Sequence, residues 1–121
     1  MFDTISIIGC GLIGSSILKA IKKKNLAKEI KVFDNSKEVI TYIKKENICT
    51  NVFNDISQCV VNSDLIIIAT PLSSYKEIIL AIKDSLKKNV ILTDTGSVKK
   101  EVMKIIHNVN LTDIHWIPSH P

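Results

Sequence analysis

The sequence contains no arginine: all sixteen of its basic residues are lysines. A lysine ammonium is a point charge without the planar guanidinium fork, so the bidentate grip on guanine or phosphate is missing. Aromatic residues make up only 5% of the chain, which leaves no stacking platform for unpaired bases. The net charge of +4 therefore reads as a solvated lysine surface, and no nucleic-acid partner is expected. Long apolar runs are missing too. The longest, Leu65 to Ala69, falls far short of the roughly 20 residues of a spanning helix, so no membrane partner is expected. The opening "MFDTISIIG" has no basic region, apolar stretch of signal length or small-residue cleavage site, which points to a cytoplasmic protein.

Cysteine is sparse: Cys10, Cys49 and Cys59 are odd in number and have neither CxxC nor zinc-ligand spacing. Reduced thiols are expected. His115 and His120 would project to opposite faces of a strand, so they do not make a zinc pair and no metal is expected.

What is present is an ordinary globular composition, with 45% hydrophobic and 23% charged residues in a length that suits one domain over residues 1–121. Short Ile- and Val-rich runs alternate with segments of helical period. That alternation predicts an α/β fold: a doubly wound, mostly parallel sheet of about six strands with helices on both faces, in the order 3-2-1-4-5-6. Strands are expected at 5–8, 30–34, 51–53, 65–70, 90–94 and 114–117. Helices are expected at 11–24 (with Ile13, Ile17, Ala20 and Ile21 on one face), 37–46 (Val39, Ile40, Ile43), 56–62, 72–87 (Tyr75, Ile79, Ile82, Leu86) and 97–108. The continuous run "LIIIA" suits a strand covered on both sides.

"SIIGCGLIGSSI" places Gly9, Gly11 and Gly14 in the pattern GxGxxG between a predicted strand and a predicted helix. Gly9 permits the tight turn, Gly11 lets backbone approach a pyrophosphate, and Gly14 lets the helix close on the sheet. Cys10, Leu12 and Ile13 fill the remaining positions of the turn, where the helix start offers unpaired N–H groups to phosphate. Asp34 follows twenty residues after Gly14, at the end of the second strand. A carboxylate there accepts hydrogen bonds from ribose hydroxyls and repels a 2'-phosphate, so NAD is the expected cofactor. Lys37 leaves NADP as the lesser alternative, and capping of the second helix is the purely structural alternative for Asp34. Thr70 and Pro71, after the fourth strand, should line the same crevice, although helix initiation alone would also account for them.

A nicotinamide cofactor implies hydride transfer, and hence a group that takes a proton from the hydroxyl being oxidised. His107 suits a helix C-terminus and His115 lies inside a strand. His120 comes just past that strand's carboxyl end, on the crevice side. Ser97, which at least caps the fifth helix, reaches the same rim.

Taken together and in order, "IIGCGLIGSS", "ATP", "DTGSVK" and "SHP" resemble the nucleotide-binding domain of prephenate dehydrogenases and their arogenate and cyclohexadienyl relatives in tyrosine biosynthesis. The resemblance spans the whole chain. It implies that His120 is the catalytic histidine, accepting a hydrogen bond from the ring hydroxyl, and that Ser97 helps to position it and the substrate. It also implies oxidative decarboxylation of prephenate to 4-hydroxyphenylpyruvate coupled to reduction of NAD. Members of the family continue into a helical domain that forms the dimer and supplies a substrate-binding arginine. This chain carries neither, so it is expected to be a truncated part, weak in NAD binding and impaired or inactive alone. It should self-associate through the uncovered face and act on prephenate or arogenate only when a second domain completes it. The alternatives are a non-catalytic or vestigial NAD-binding module, and another dehydrogenase of the 3-hydroxyacid or 6-phosphogluconate type.

Overall fold

Isoleucine and valine dominate the strands because a branched Cβ packs well on a pleated surface. The computed structural model describes residues 2–49, 51–95 and 114–116. Along them run β1 (Phe2–Ile8), α1 (Leu12–Lys24), β2 (Ala27–Phe33), α2 (Lys37–Lys45), β3 (Val52–Phe53), α3 (Ile56–Val60), β4 (Leu65–Ile68), α4 (Tyr75–Ile82), β5 (Val90–Asp94) and β6 (Ile114–Trp116). Single 3-10 turns flank α4 at Leu72–Ser74 and Lys83–Ser85. The six strands form one sheet in the order β3-β2-β1-β4-β5-β6, and each neighbouring pair is parallel. The predicted doubly wound order is the one observed.

Period-two alternation splits β1, β2 and β4 between two cores. Ile5 and Ile7 of β1, Val32 of β2 and Ile67 of β4 meet Leu18 and Ile21 of α1 and Ile43 of α2 on one face. Ile8, Ile66, Ile68, Val90 and Leu92 meet Val60 of α3 and Tyr75, Ile79 and Ile82 of α4 on the other. Ser6 falls on this second face, where its Oγ lies 2.6 Å from the Cys59 carbonyl oxygen and 2.5 Å from Ser63 Oγ. The buried hydroxyls are thereby satisfied. No helix among the described residues is long and apolar enough to cross a membrane.

Local chemistry sets the helix ends. Ser36 caps α2 by accepting from the Val39 N–H at 3.3 Å, and Asp55 caps α3 by accepting from the Ser57 N–H at 2.9 Å. Lys22, Lys23 and Lys24 occupy the last turn of α1, where cations suit the negative end of the dipole. Asn25 then stops the helix in the left-handed conformation, at φ 51° and ψ 49°.

Several boundaries differ from expectation. α1 begins at Leu12 because Gly11 stands outside it as an extended N-cap residue. Of its expected face, Ile21 is buried and Ile17 packs partly against the core, whereas Ile13 and Ala20 are exposed and Gly14 and Leu18 complete the buried side. β2 starts at Ala27, three residues early, because its first half pairs with Phe2 to Ile5 of β1. β4 ends at Ile68, two residues short of the predicted end. The single helix expected over 72–87 is divided, since the chain enters α4 through a turn closed by Ser74 N–H to the Pro71 carbonyl at 3.0 Å and leaves it at Leu86 in an extended conformation. The helix expected at 97–108 lies outside the described residues.

Candidate functional site

The carboxyl ends of β1, β2 and β4 open onto a crevice of about 430 Å³. Gly9, Gly11, Asp34, Thr70 and Pro71, all expected at the site, line it together. It lies where the strand order reverses between β1 and β4, which is where α/β sheets of this kind take ligands.

The glycine turn is built around close backbone approaches. Gly9 has φ +91°, and a Cβ there would lie 2.6 Å from Thr70 Cγ2 and 3.1 Å from the Ala69 carbonyl. A Cβ on Gly14 would collide with the carbonyl oxygen of Gly9, so glycine at 14 lets α1 sit against the turn that precedes it. Gly11 differs from both, because a Cβ there would meet nothing within 4 Å. Open space on that side of the backbone is what a ligand approaching the turn requires.

Asp34 ties the end of β2 to the turn. Its Oδ2 accepts from the Cys10 N–H at 2.6 Å and its Oδ1 accepts from the Ser36 N–H at 2.8 Å. The cap of α2 is Ser36, so Asp34 is not that helix's N-cap. Each carboxylate oxygen has a second lone pair, which leaves acceptor capacity toward the crevice.

Cys10 is engaged at both backbone ends, since its carbonyl accepts from Ser15 Oγ at 2.8 Å. Its side chain is buried in the core beneath α1 and α2, and burial pushes the thiol up to about 11. Leu12 and Ile13 occupy the first turn of α1 and are exposed, Leu12 at 90%. No side chain caps that helix and no acidic residue stands in its first turn. Its leading N–H groups and positive dipole end therefore face the glycine turn uncapped.

Thr70 Oγ1 is buried without a hydrogen-bond partner, and its residue lines the crevice. Buried hydroxyls are normally paired, so an orphan at a ligand crevice fits a group that the protein itself does not supply. Pro71 is exposed at the head of the 3-10 turn leading into α4.

Other lining residues escaped the sequence reading. Ser74, Glu77, Ile78 and Ala81 line the crevice at the spacing i, i+3, i+4, i+7, which is one face of a helix. This face adjoins the buried stripe of Tyr75, Ile79 and Ile82. Phe33 and Ile56 add apolar wall. A second face at helical spacing was the available signal, but Glu77 and Ser74 within it read as solvent-facing.

Ser97 and His120 lie outside the described residues. β6 runs parallel to β5, with Leu92 opposite Trp116, so its carboxyl end faces the same side of the sheet as the crevice.

Residues 17–121 match the family described as the prephenate dehydrogenase nucleotide-binding domain. The chain belongs to that family. Over its full length it is 37% identical to a cyclohexadienyl dehydrogenase of Zymomonas mobilis, and it spans 41% of that relative. Among solved structures it resembles prephenate dehydrogenase from A. aeolicus, in complex with hydroxyphenyl propionate and NAD+, with a TM-score of 0.84 at 22% identity, covering 100% of this chain and 42% of that one. A 3-hydroxyisobutyrate dehydrogenase of Mycobacterium tuberculosis also gives 0.84, at 12% identity, covering 98% of this chain and 40% of that one. The fold is thus common to both types of dehydrogenase, and sequence is what distinguishes them.

Proposed function

We propose that the chain forms the NAD-binding part of a cytoplasmic dehydrogenase that oxidatively decarboxylates prephenate or arogenate. What carries this reading is the convergence, in a chain of this family, of an open Gly11, the Asp34 carboxylate and the unpartnered Thr70 hydroxyl on one crevice. The first N–H groups of α1, at Leu12 and Ile13, hold the pyrophosphate, while Gly9 and Gly14 keep the turn tight. Asp34 accepts from the ribose hydroxyls with the lone pairs not engaged by Cys10 and Ser36. It disfavours a 2'-phosphate, which makes NAD rather than NADP the partner. Thr70 Oγ1 and the backbone at Pro71 meet the cofactor farther along the crevice. The cofactor, when bound, supplies the hydride acceptor.

The parallel run of β6 supports a place for His120 on the crevice rim, just past that strand's carboxyl end. There its imidazole accepts the hydrogen bond of the substrate's ring hydroxyl, and Ser97, following β5, positions it. Prephenate or arogenate is held with the help of a second domain.

Titration calorimetry with NAD and NADP tests the cofactor half of the reading. NAD should bind more tightly, and Asp34→Ala should weaken it about ten-fold, the scale of a lost hydrogen bond to a charged group. Unchanged NAD binding in the variant would remove the ribose assignment. For the chemistry, the chain is joined to the substrate-binding portion of the Z. mobilis relative and prephenate-dependent NADH formation is followed. His120→Asn should lower kcat by about 10² or more, and a fully active variant would exclude histidine as the base.

A further inference from the structure

Two carboxylates face the crevice. Asp34 stands just past the end of β2, and Glu77, an exposed residue in the first turn of α4, is also among the residues that line it. Neither is neutralised: the described ion pairs join Lys28 to Asp3 and Lys87 to Asp64, and Asp34 is held by backbone N–H groups alone. No lysine is among the residues that line the cavity, although the chain carries sixteen. Apart from Asn35, Thr70 and Ser74 the side chains that line the cavity with them are apolar, among them Phe33, Val39, Ile56, Ile78 and Ala81. Low-polarity walls screen charge poorly and focus the field of the groups at their rim.

We infer that Glu77 is a second specificity determinant of the crevice, acting with Asp34 to exclude dinucleotides that carry an additional phosphate. The inference rests on the proposed NAD reading and extends it, because Asp34 alone is the usual basis for such selectivity. A 2'-phosphate brings nearly two negative charges above pH 7. One carboxylate can be bypassed by a shift of the ribose, and a second one on the same cavity adds to the repulsion that a shifted phosphate meets. Glu77 sits on the crevice face of α4, and the stripe of Tyr75, Ile79 and Ile82 on the same helix is locked into the core, so its Cα position is fixed by packing.

The test is calorimetric titration of the 121-residue chain and its Glu77→Gln and Glu77→Lys variants with NAD+ and with NADP+, at about 0.05 M and 0.5 M salt. Circular dichroism melts confirm that each variant is folded. The ratio of NAD to NADP affinity should fall about five-fold in Glu77→Gln and further in Glu77→Lys. The change should shrink at high salt, as a through-space charge effect must when the screening length shortens. An unchanged ratio in both folded variants, with both cofactors measurable, would overturn the role of Glu77 and leave the NAD reading standing. A ratio that moves equally at both salt concentrations would overturn the charge mechanism. If the parent chain binds neither cofactor, the NAD reading itself fails and the inference fails with it.

Discussion

The Asp34 carboxylate accepts a 2.6 Å hydrogen bond from the backbone N–H of Cys10, across 24 positions of sequence. One side chain thus braces the phosphate turn and, in the proposed function, receives the ribose. The two roles separate by substitution. Asp34→Asn keeps a carbonyl oxygen for the Cys10 N–H and loses only the bond from the Ser36 N–H, toward which its NH2 then points, whereas Asp34→Ala leaves both donors without their partner. Urea unfolding should show Asp34→Ala destabilised by about 1–3 kcal/mol, and Asp34→Asn by clearly less. Equal losses in the two variants would mean that charge, rather than the Cys10 bond, braces the turn.

The three turn glycines make opposite demands. Gly14→Ala sets a Cβ against the Gly9 carbonyl, a backbone group that can yield only if the helix moves. A loss of about 1–3 kcal/mol in chemical unfolding is expected. Gly11→Ala meets nothing within 4 Å and has an ordinary φ of −70°, so its cost should stay near the fraction of a kcal/mol typical of a weaker N-cap. Its methyl would instead occupy the ligand's approach, and NAD affinity should fall at least about ten-fold on that account. Should Gly11→Ala unfold the chain, or Gly14→Ala prove neutral, the division of roles would be wrong.

Much of this architecture could be read from sequence because its causes are local. Val90–Asp94 coincides with its predicted span, and every described helix lies within a predicted one. The buried face of α1 is only partly legible: Ile21 belongs to it as expected, but Gly14 is buried without a side chain to carry hydropathy, and the more apolar Ile13 beside it is exposed. The start of β2 is not legible because its first residues, Ala27 to Glu29, look polar, and only their pairing with β1 makes them a strand. At the site, the motif residues were legible through GxGxxG and the spacing to Asp34. The Asp34–Cys10 bond was not, since its partners lie on different strands' ends. Nor was the crevice face of α4, where Ser74 and Glu77 read as an ordinary solvent-facing flank until β2 and α3 were seen opposite them.

Four asparagines end local segments in the left-handed region: Asn25 at φ 51°, Asn47 at 55°, Asn62 at 60° and Asn89 at 65°. Asn25 shows what the position does, since its N–H reaches the carbonyls of Ile21 and Lys22 at the end of α1. An L residue with an ordinary side chain costs roughly 1–2 kcal/mol there, while glycine adopts the region freely. Asn25→Ala should therefore lower stability by about 1 kcal/mol, and Asn25→Gly should match or exceed the parent in the same thermal or urea melt. Alanine performing as well as glycine would show that the cap tolerates a right-handed ending.

Burial drives the remaining prediction. The Cys10 and Cys59 thiols, almost fully enclosed, are pushed by desolvation from 9.0 to about 11 and about 12. The unfolded chain releases these protons near pH 9 while the native state keeps them, so below that pH both states are protonated and the shift leaves stability constant. As pH rises toward the folded values, the unfolded state binds fewer protons and stability falls, by about 1 kcal/mol for each thiol between pH 9 and 10. The decisive comparison is between the parent and Cys59→Ala in urea melts at pH 8, 9 and 10. The variant starts less stable because of the volume it loses, but its decline with pH should be shallower than the parent's by that same 1 kcal/mol or so. Iodoacetamide gives an independent check: at pH 8 both thiols should stay unmodified in the native chain and react once urea unfolds it. Parallel pH curves, or rapid native alkylation of Cys59, would show that the thiol is not held neutral by the core.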